Sequence, residues 1–370
     1  MTGKIIGKVL LAGAFLFPCP PATATSLDAL RALGYENLAL ESGEGWKRIF
    51  FENKRSFLEI EALREVLRAL AGPPEEIVTL VVQNKKIAIL ALRFRQGDLF
   101  DFREGRLSSE AFAEKLEFPE PSTVPATSDS SLFRTDLTFT PQPALVLGKF
   151  FFFGNYEARS LWAPGLSSFV RLQTASEGFY PTVISHATLG YQNRWKDFSF
   201  AALFGRMGYD DYLTLLNGWD TEAEYRLFEG QLRLKAEWGQ RDGELPQRLY
   251  SLNWHHPQDI ALSGGYGYFP RGDRGFFVKA GRQFSRSQLE LEAAQTRLGS
   301  MFRVGLGINP WPGLFPKPSF LRVYAPGWFT SEYRAGGKTA GVTFWPRADS
   351  DELFERLSPA YLRAHLPELR

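Results

Sequence analysis

The sequence predicts a small α+β domain followed by an all-β, antiparallel transmembrane β-barrel of about 12 strands. Three observations support this fold class: helical spacing confined mainly to the amino-terminal part, a proline-containing linker, and a long aromatic region in which polar and apolar residues alternate. Aromatic residues make up 15% of the 370 residues beside 34 Gly, which is typical of strands joined by tight turns. The formal net charge is only +2, so nucleic acid is not an expected partner.

Residues 1–24 have the features of an export signal. A positively charged start precedes an apolar run at residues 9–17, which is too short to span a bilayer, and residues 22–24 supply a small-x-small cleavage pattern. Bulky residues precede Cys19, so a lipidated cysteine is not expected, and cleavage after residue 24 would leave no cysteine in the mature chain. An uncleaved membrane anchor is the alternative interpretation.

Residues 25–118 are predicted to form a small periplasmic α/β domain. A short helix should begin at Ser26 and end at Gly34. The clearest helix covers residues 56–71, where apolar residues recur on one face. Strands are expected at residues 38–40, 46–51, 77–82 and 87–94, with the last two joined as a hairpin. Nothing in this domain has catalytic spacing.

The rest of the chain divides into three predicted segments. Residues 119–130 contain prolines among small polar residues and should form a linker. Residues 131–346 carry the alternating pattern and are assigned to the outer-membrane β-barrel, although a soluble β-sandwich alternates too, with its apolar face turned inward. Eight of the nine tryptophans lie between Trp162 and Trp345, several at strand ends, which suits aromatic girdles at the two membrane interfaces. Residues 347–370 are predicted to be a helical tail.

The alternation also assigns side chains to the interior of the barrel. In residues 232–238 the apolar side chains alternate with charged ones, and a wet lumen would hold those charges at low cost. The polar side chains that we assign to the lumen are His186, Arg194, Arg233, Lys235 and Glu237.

Candidate sites for chemistry are sparse in this sequence. The two histidines at 255–256 have no partner at a diagnostic metal spacing, and the two aspartates at 210–211 are typical of a hairpin tip. Ser185 and His186 are adjacent, so on a regular strand their side chains would point to opposite faces and could not form a dyad. We therefore predict no catalytic, cofactor-binding or metal-binding residues.

Two groups of motifs resemble a known family. Residues 34–38, 50–54 and 61–67 resemble the amino-terminal region of YjbH-like proteins. Residues 265–275, which lead into residues 279–284, are similar to a turn and strand in the barrel part of that family. The resemblance implies an outer-membrane component that is encoded with exopolysaccharide or capsule secretion systems.

The expected function follows from the alternation and the resemblance together. We expect a non-catalytic outer-membrane β-barrel protein that takes part in exopolysaccharide or capsule export or assembly, with its amino-terminal domain in the periplasm and no cofactor. The expected partners are the lipid bilayer, a polysaccharide, and periplasmic or outer-membrane export components. The alternatives are a general porin, a structural envelope protein and a secreted glycan-binding β-sandwich.

Overall fold

The chain is mostly β in the computed structural model, with one small sheet and one large sheet. The residues described are 26–54, 58–122, 124–125, 132–146, 149–175, 183–208, 215–256, 258–269, 272–284, 286–309, 321–324, 329–336 and 357–370. The predicted export signal, the aspartates at 210–211 and part of the predicted linker and tail lie outside these residues.

The small sheet and four helices occupy the amino-terminal part of the chain. Helices α1–α4 cover Ser26–Leu33, Glu59–Ala69, Gln96–Arg103 and Ser109–Lys115, and strands β1–β4 cover Glu36–Gly43, Trp46–Glu52, Ile77–Asn84 and Ile87–Arg95. The strands lie in sequence order, β1-β2-β3-β4. Only β2 and β3 are parallel, because α2 connects them and returns the chain to the starting end of the sheet.

One apolar core lies between this sheet and its helices. Helix α2 buries the face that its spacing predicts, with Val66 fully enclosed. Two short helices at the end of the chain, α5 (Pro359–Ala364) and α6 (Leu366–Leu369), pack into the same core through Leu362 and Leu366. The core of the small sheet is therefore built from both ends of the chain.

The remaining strands, β5–β18, form one large sheet. Their bounds are Thr135–Val146, Lys149–Ala163, Leu166–Ala175, Val183–Trp195, Phe198–Gly208, Leu215–Leu227, Leu232–Arg241, Gln247–His256, Ile260–Tyr268, Arg274–Phe284, Ser287–Thr296, Gly299–Ile308, Leu321–Tyr324 and Phe329–Gly336. Strands β5–β16 follow one another as antiparallel neighbours, and a short 3-10 turn at Phe228–Gly230 lies between β10 and β11. The described residues of this sheet form 14 strands, which lies within the predicted range of about 12, give or take two.

Strand β5 has neighbours on both of its sides. It pairs with β6 along its whole length, and its other side pairs with β17 at residues 135–138 and with β18 at residues 144–146. Both of these last pairings are parallel, so the prediction of an entirely antiparallel sheet is wrong here. The run from β5 through β16 to β18 contains an odd number of strands, each antiparallel to the next. Its first and last strands therefore run in the same direction, which is why β5 and β18 pair in parallel.

The two ends of the large sheet differ in what lies against them. One end, which we call the near end, carries the connections at residues 164–165, 196–197 and 228–231 and the described residues 258–259 and 286. The small sheet and its helices contact this near end, and the opposite end is called the far end. Among the described residues, no helix has the length and apolar character needed to cross a membrane.

Candidate functional site: the buried charged face of the large sheet

Burial in the large sheet is the reverse of the pattern found in soluble sheets. On β11, Arg233 is 2% exposed, whereas the adjacent Leu234 is 47% exposed. The same inversion is found over much of the sheet, where charged side chains are buried and large apolar ones are exposed, although the buried face also holds an apolar cluster of Leu249, Phe277, Ala294 and Met301 with Phe269. The exposed apolar side chains include Phe139, Tyr156, Leu172, Leu189, Tyr191, Phe204, Tyr225, Tyr250, Leu252, Leu262, Phe276, Val278, Leu291, Phe302, Leu306 and Ile308.

Six charged residues form a ladder on the buried face of β10 and β11. We call it the charged ladder, and its members are Glu222, Glu224, Arg226, Arg233, Lys235 and Glu237. Direct pairing across the two strands places Glu222 opposite Glu237 and Arg226 opposite Arg233. Like charges placed directly opposite each other are destabilising, so the ladder needs diagonal partners.

Each like-charge pair has such a partner, which makes one diagonal contact and one contact along its own strand. The Nζ atom of Lys235 lies 2.6 Å from Glu222 Oε2 and 3.1 Å from Glu237 Oε1. Glu224 likewise accepts from two guanidinium groups, at 2.9 Å from Arg226 Nε and 3.4 Å from Arg233 Nη1. The ladder thus balances three acidic and three basic side chains, and each like-charge pair is bridged by one residue of opposite sign.

Other buried polar atoms on this face keep hydrogen-bonding capacity. Side-chain atoms of Thr188, Gln192, Gln247 and Glu237 are buried and make no hydrogen bond within the described part of the chain. A buried polar atom left dry costs about 1–3 kcal/mol. We therefore expect this face to hold water or a polar solute.

The structure places the five residues assigned to the lumen on this polar face. Arg233, Lys235 and Glu237 are buried members of the charged ladder. Arg194 is half-buried at the near end of β8, where its Nε donates to the carbonyl of Lys196 at 2.8 Å. His186 is also half-buried. The alternation brings the three ladder residues together but does not bring His186 or Arg194 into ion pairs with them.

The prediction that the side chains of Ser185 and His186 point to opposite faces is wrong. The pairing of β7 with β8 shifts register at Arg171, which leaves Ser185 as a bulge residue whose side chain turns to the buried face. His186 Nδ1 therefore lies 3.2 Å from Ser185 Oγ. The hydroxyl donates its proton to the carbonyl of Arg171 at 3.3 Å, so this contact lacks the proton relay of an activated serine.

A second group of charges joins the small sheet to the near end of the large sheet. Glu36 of β1 is buried and pairs with Arg322 of β17, and it also accepts from Arg134 Nη1 at 3.0 Å. Arg322 pairs in turn with Asp136 of β5 at 2.5 Å. These four residues were not identified from the sequence, because they lie up to 286 residues apart and belong to no motif.

A backbone contact fixes the small sheet at a second point. The turn between β3 and β4 lies against the turn between β6 and β7, where the N–H of Gly165 donates to the carbonyl of Lys85 at 2.9 Å. Gly165 has φ +73°, and a Cβ there would lie 2.1 Å from the carbonyl oxygen of Gln192. Only glycine allows this approach.

The carboxyl-terminal helices make a third set of contacts with the near end. Arg363 pairs with Glu229 at 2.6 Å, and His365 Nε2 lies 3.2 Å from Asp259 Oδ2. Burial lowers the pKa of His365, but its hydrogen bonds to Asp259 and to the Tyr361 carbonyl outweigh burial and raise the pKa overall. Residues 26–117 and 357–370 thus contact the near end as one body, which we call the cap.

The described residues include no group of three or more side chains suited to hold a metal ion. Of the two adjacent histidines, His255 lies at the end of β12 and contacts Arg233 of the charged ladder, and His256 packs on Trp254 with ring centroids 5.2 Å apart.

In comparisons with protein-family models and with curated proteins, nothing matches this chain.

Proposed function

We propose that this chain is an outer-membrane β-barrel protein that takes part, without catalysis, in exopolysaccharide or capsule export or assembly. In this proposal the large sheet is the barrel, its charged face lines the lumen, and the cap lies in the periplasm. The observation that carries the proposal is the reversed burial of the large sheet. Water would disfavour so broad an exposed apolar surface, whereas a bilayer would cover it.

The strand pairing supports closure of the large sheet into a barrel. Strand β5 makes backbone hydrogen bonds to β6 on one side and to β17 and β18 on the other, so it is not an open edge. A sheet in hydrocarbon must satisfy its edge groups, because lipid offers no hydrogen-bonding partner.

Exposed aromatic side chains lie at both ends of this surface. Trp195, Phe198 and Phe284 lie near the connections of the near end, and Trp219 and Tyr268 lie toward the far end. Tryptophan and tyrosine prefer the two interfaces of a membrane. Their distribution supports a sheet that spans a bilayer between the cap and the far end.

The character of the lumen supports a sugar-like solute over an ion. The charged ladder has equal numbers of acidic and basic groups, so it does not select one sign of charge. It offers donors and acceptors side by side, and sugar hydroxyl groups act as both. The choice of polysaccharide itself comes from the resemblance to YjbH-like proteins. The cap at the near end disfavours an open general porin.

Fractionation and gel migration test the proposal together. The protein should co-purify with outer membranes and should migrate faster on detergent gels when it has not been heated. Recovery as a soluble periplasmic protein would overturn the barrel and favour a glycan-binding β-sandwich. A steady, large conductance in planar bilayers would instead favour the general porin, and release of reducing ends from a supplied glycan would refute the non-catalytic role.

A further inference from the structure

A row of directly paired residues crosses the far end of the large sheet. The register pairs Trp238 with Arg248, Arg248 with Tyr268, and Tyr268 with Arg274. The N–H of Arg297 then donates to the carbonyl of Arg274 at 2.9 Å. We call these five residues the arginine row.

The arginines of this row face away from the charged ladder. Arg248, Arg274 and Arg297 are exposed, whereas the strand neighbours Gln247 and Gly275 are buried. Because side chains alternate along a strand, Arg248 and Arg274 point to the same side as the exposed apolar residues, and Arg297 lies in the turn that follows β15. Within the described residues, none of the three guanidinium groups forms an ion pair.

An aromatic surface lies directly beneath the arginine row. The next outward row contains Tyr250, Tyr266 and Phe276, and the rings of Tyr266 and Phe276 lie 4.8 Å apart. Tyr268 joins the two rows through an edge contact with Tyr266 at 5.9 Å. The far end thus presents cations above a continuous apolar surface, which matches an amphipathic molecule with an anionic head.

We propose that the arginine row binds the phosphate headgroup of an anionic membrane lipid whose acyl chains lie on the aromatic surface beneath it. This inference rests on the proposed membrane function. Adjacent strands are about 4.8 Å apart, so Arg248 and Arg274 flank Tyr268 at about 10 Å from each other. Arginine is well suited to this role, since its planar fork donates two hydrogen bonds to a phosphate at once.

The near end offers a contrast that serves as a control. Arg282 is also exposed and outward-facing on β14, but its guanidinium lies over the ring of Phe284 at 4.8 Å. No second arginine is paired with it across the neighbouring strands, since its direct partners are Ile260 and Leu289. A single stacked cation should bind a phosphate more weakly than the row.

Native mass spectrometry of the full chain in detergent micelles tests the proposal. The probes are lipid A, which carries phosphate groups, and the same lipid after phosphatase treatment. The wild-type protein should retain the phosphorylated lipid in preference. Arg248→Gln combined with Arg274→Gln should weaken that binding about tenfold or more. Arg282→Gln should leave it within about twofold, as expected of an isolated exposed charge.

Two further measurements separate the possible failures. Arg248→Lys combined with Arg274→Lys keeps the charge but not the planar fork, and this variant should retain part of the affinity if phosphate is bound. If every protein shows the heat-dependent gel shift and yet binds both lipids equally, the arginine row is refuted while the barrel stands. If the wild-type protein neither shifts on the gel nor inserts into bilayers, the proposed function fails, and this inference fails with it.

Discussion

Leu234→Arg is the sharpest test of which side of the large sheet meets lipid. Leu234 is 47% exposed, and its direct partners Tyr225 and Leu252 are exposed as well. In water, Arg at such a position should change the unfolding free energy by no more than about 0.5 kcal/mol. In hydrocarbon it should cost more, up to about 2–4 kcal/mol at the bilayer midplane. The two environments therefore predict different outcomes for one substitution.

The matched control for this test lies further along the same strand. Gln240 is exposed on the same face of β11, six residues toward the far end, or about 20 Å at 3.3 Å per residue. Gln240→Arg should cost about 0–1 kcal/mol, because charge is tolerated near the interface.

Both variants should be refolded into phosphatidylcholine vesicles and unfolded with urea. A loss of 2–4 kcal/mol would lower the midpoint by about 1–2 M for an m-value of about 2 kcal/mol/M. Equal midpoints for the Leu234 and Gln240 variants would refute the reasoning, since depth in the bilayer would then have no effect.

Three further predictions concern the cap. Arg322→Gln should cost about 3 kcal/mol of docking, because it leaves the buried carboxylate of Glu36 with one fewer cation, and limited proteolysis should then cut the linker faster. The contact between His365 and Asp259 should be fully present below pH about 6.5 and should weaken as pH rises through the raised pKa of His365. The rate of hydrogen exchange in α5 and α6 should therefore increase over the same pH range. Leu366→Ala should destabilise the small sheet by about 2–5 kcal/mol, measured by thermal unfolding.

Each of these predictions has a control on the cap. Arg106→Gln breaks an exposed pair with Asp101 and should leave the proteolysis rate unchanged. His365→Gln should abolish the pH dependence of exchange, and an unaltered pH profile in that variant would refute the role of the imidazole. Ala at the exposed position Leu40 should have little effect on unfolding, in contrast to Leu366.

Local periodicity in the sequence predicted much of the secondary structure. The helical spacing of α2 and the alternation along β11 identified the correct faces, because each pattern depends only on neighbours a few residues apart. The bulge at Ser185 was missed, since a shift in register is set by the partner strand and leaves no mark on alternation. Helices α3 and α4 are too short to show a clear period.

Long-range pairing could not be predicted from these patterns. The parallel pairing of β5 with β18 depends on whether the number of strands is odd or even, and a predicted number of about 12, with a margin of two, does not determine this. The cluster of Glu36, Arg322 and Asp136 is held by three separate elements, so it has no spacing that a motif could capture. The ladder residues Arg233, Lys235 and Glu237 were identified because alternation along the single strand β11 places them on one face, whereas Glu222, Glu224 and Arg226 of β10 were not identified.

The shared core of the cap has a consequence for the order of folding. Arg64 on α2 donates to the carbonyl of Glu368 across a sequence separation of 304 residues, and Leu362 and Leu366 complete the core around Val66. Contacts between such distant residues close a very long loop, and they form slowly for that reason. The interior around α2 is therefore sealed only after residues 357–370 have been synthesised. A chain that lacks residues 357–370 would expose part of the apolar face of α2, and such exposed surfaces make a folding chain prone to aggregation.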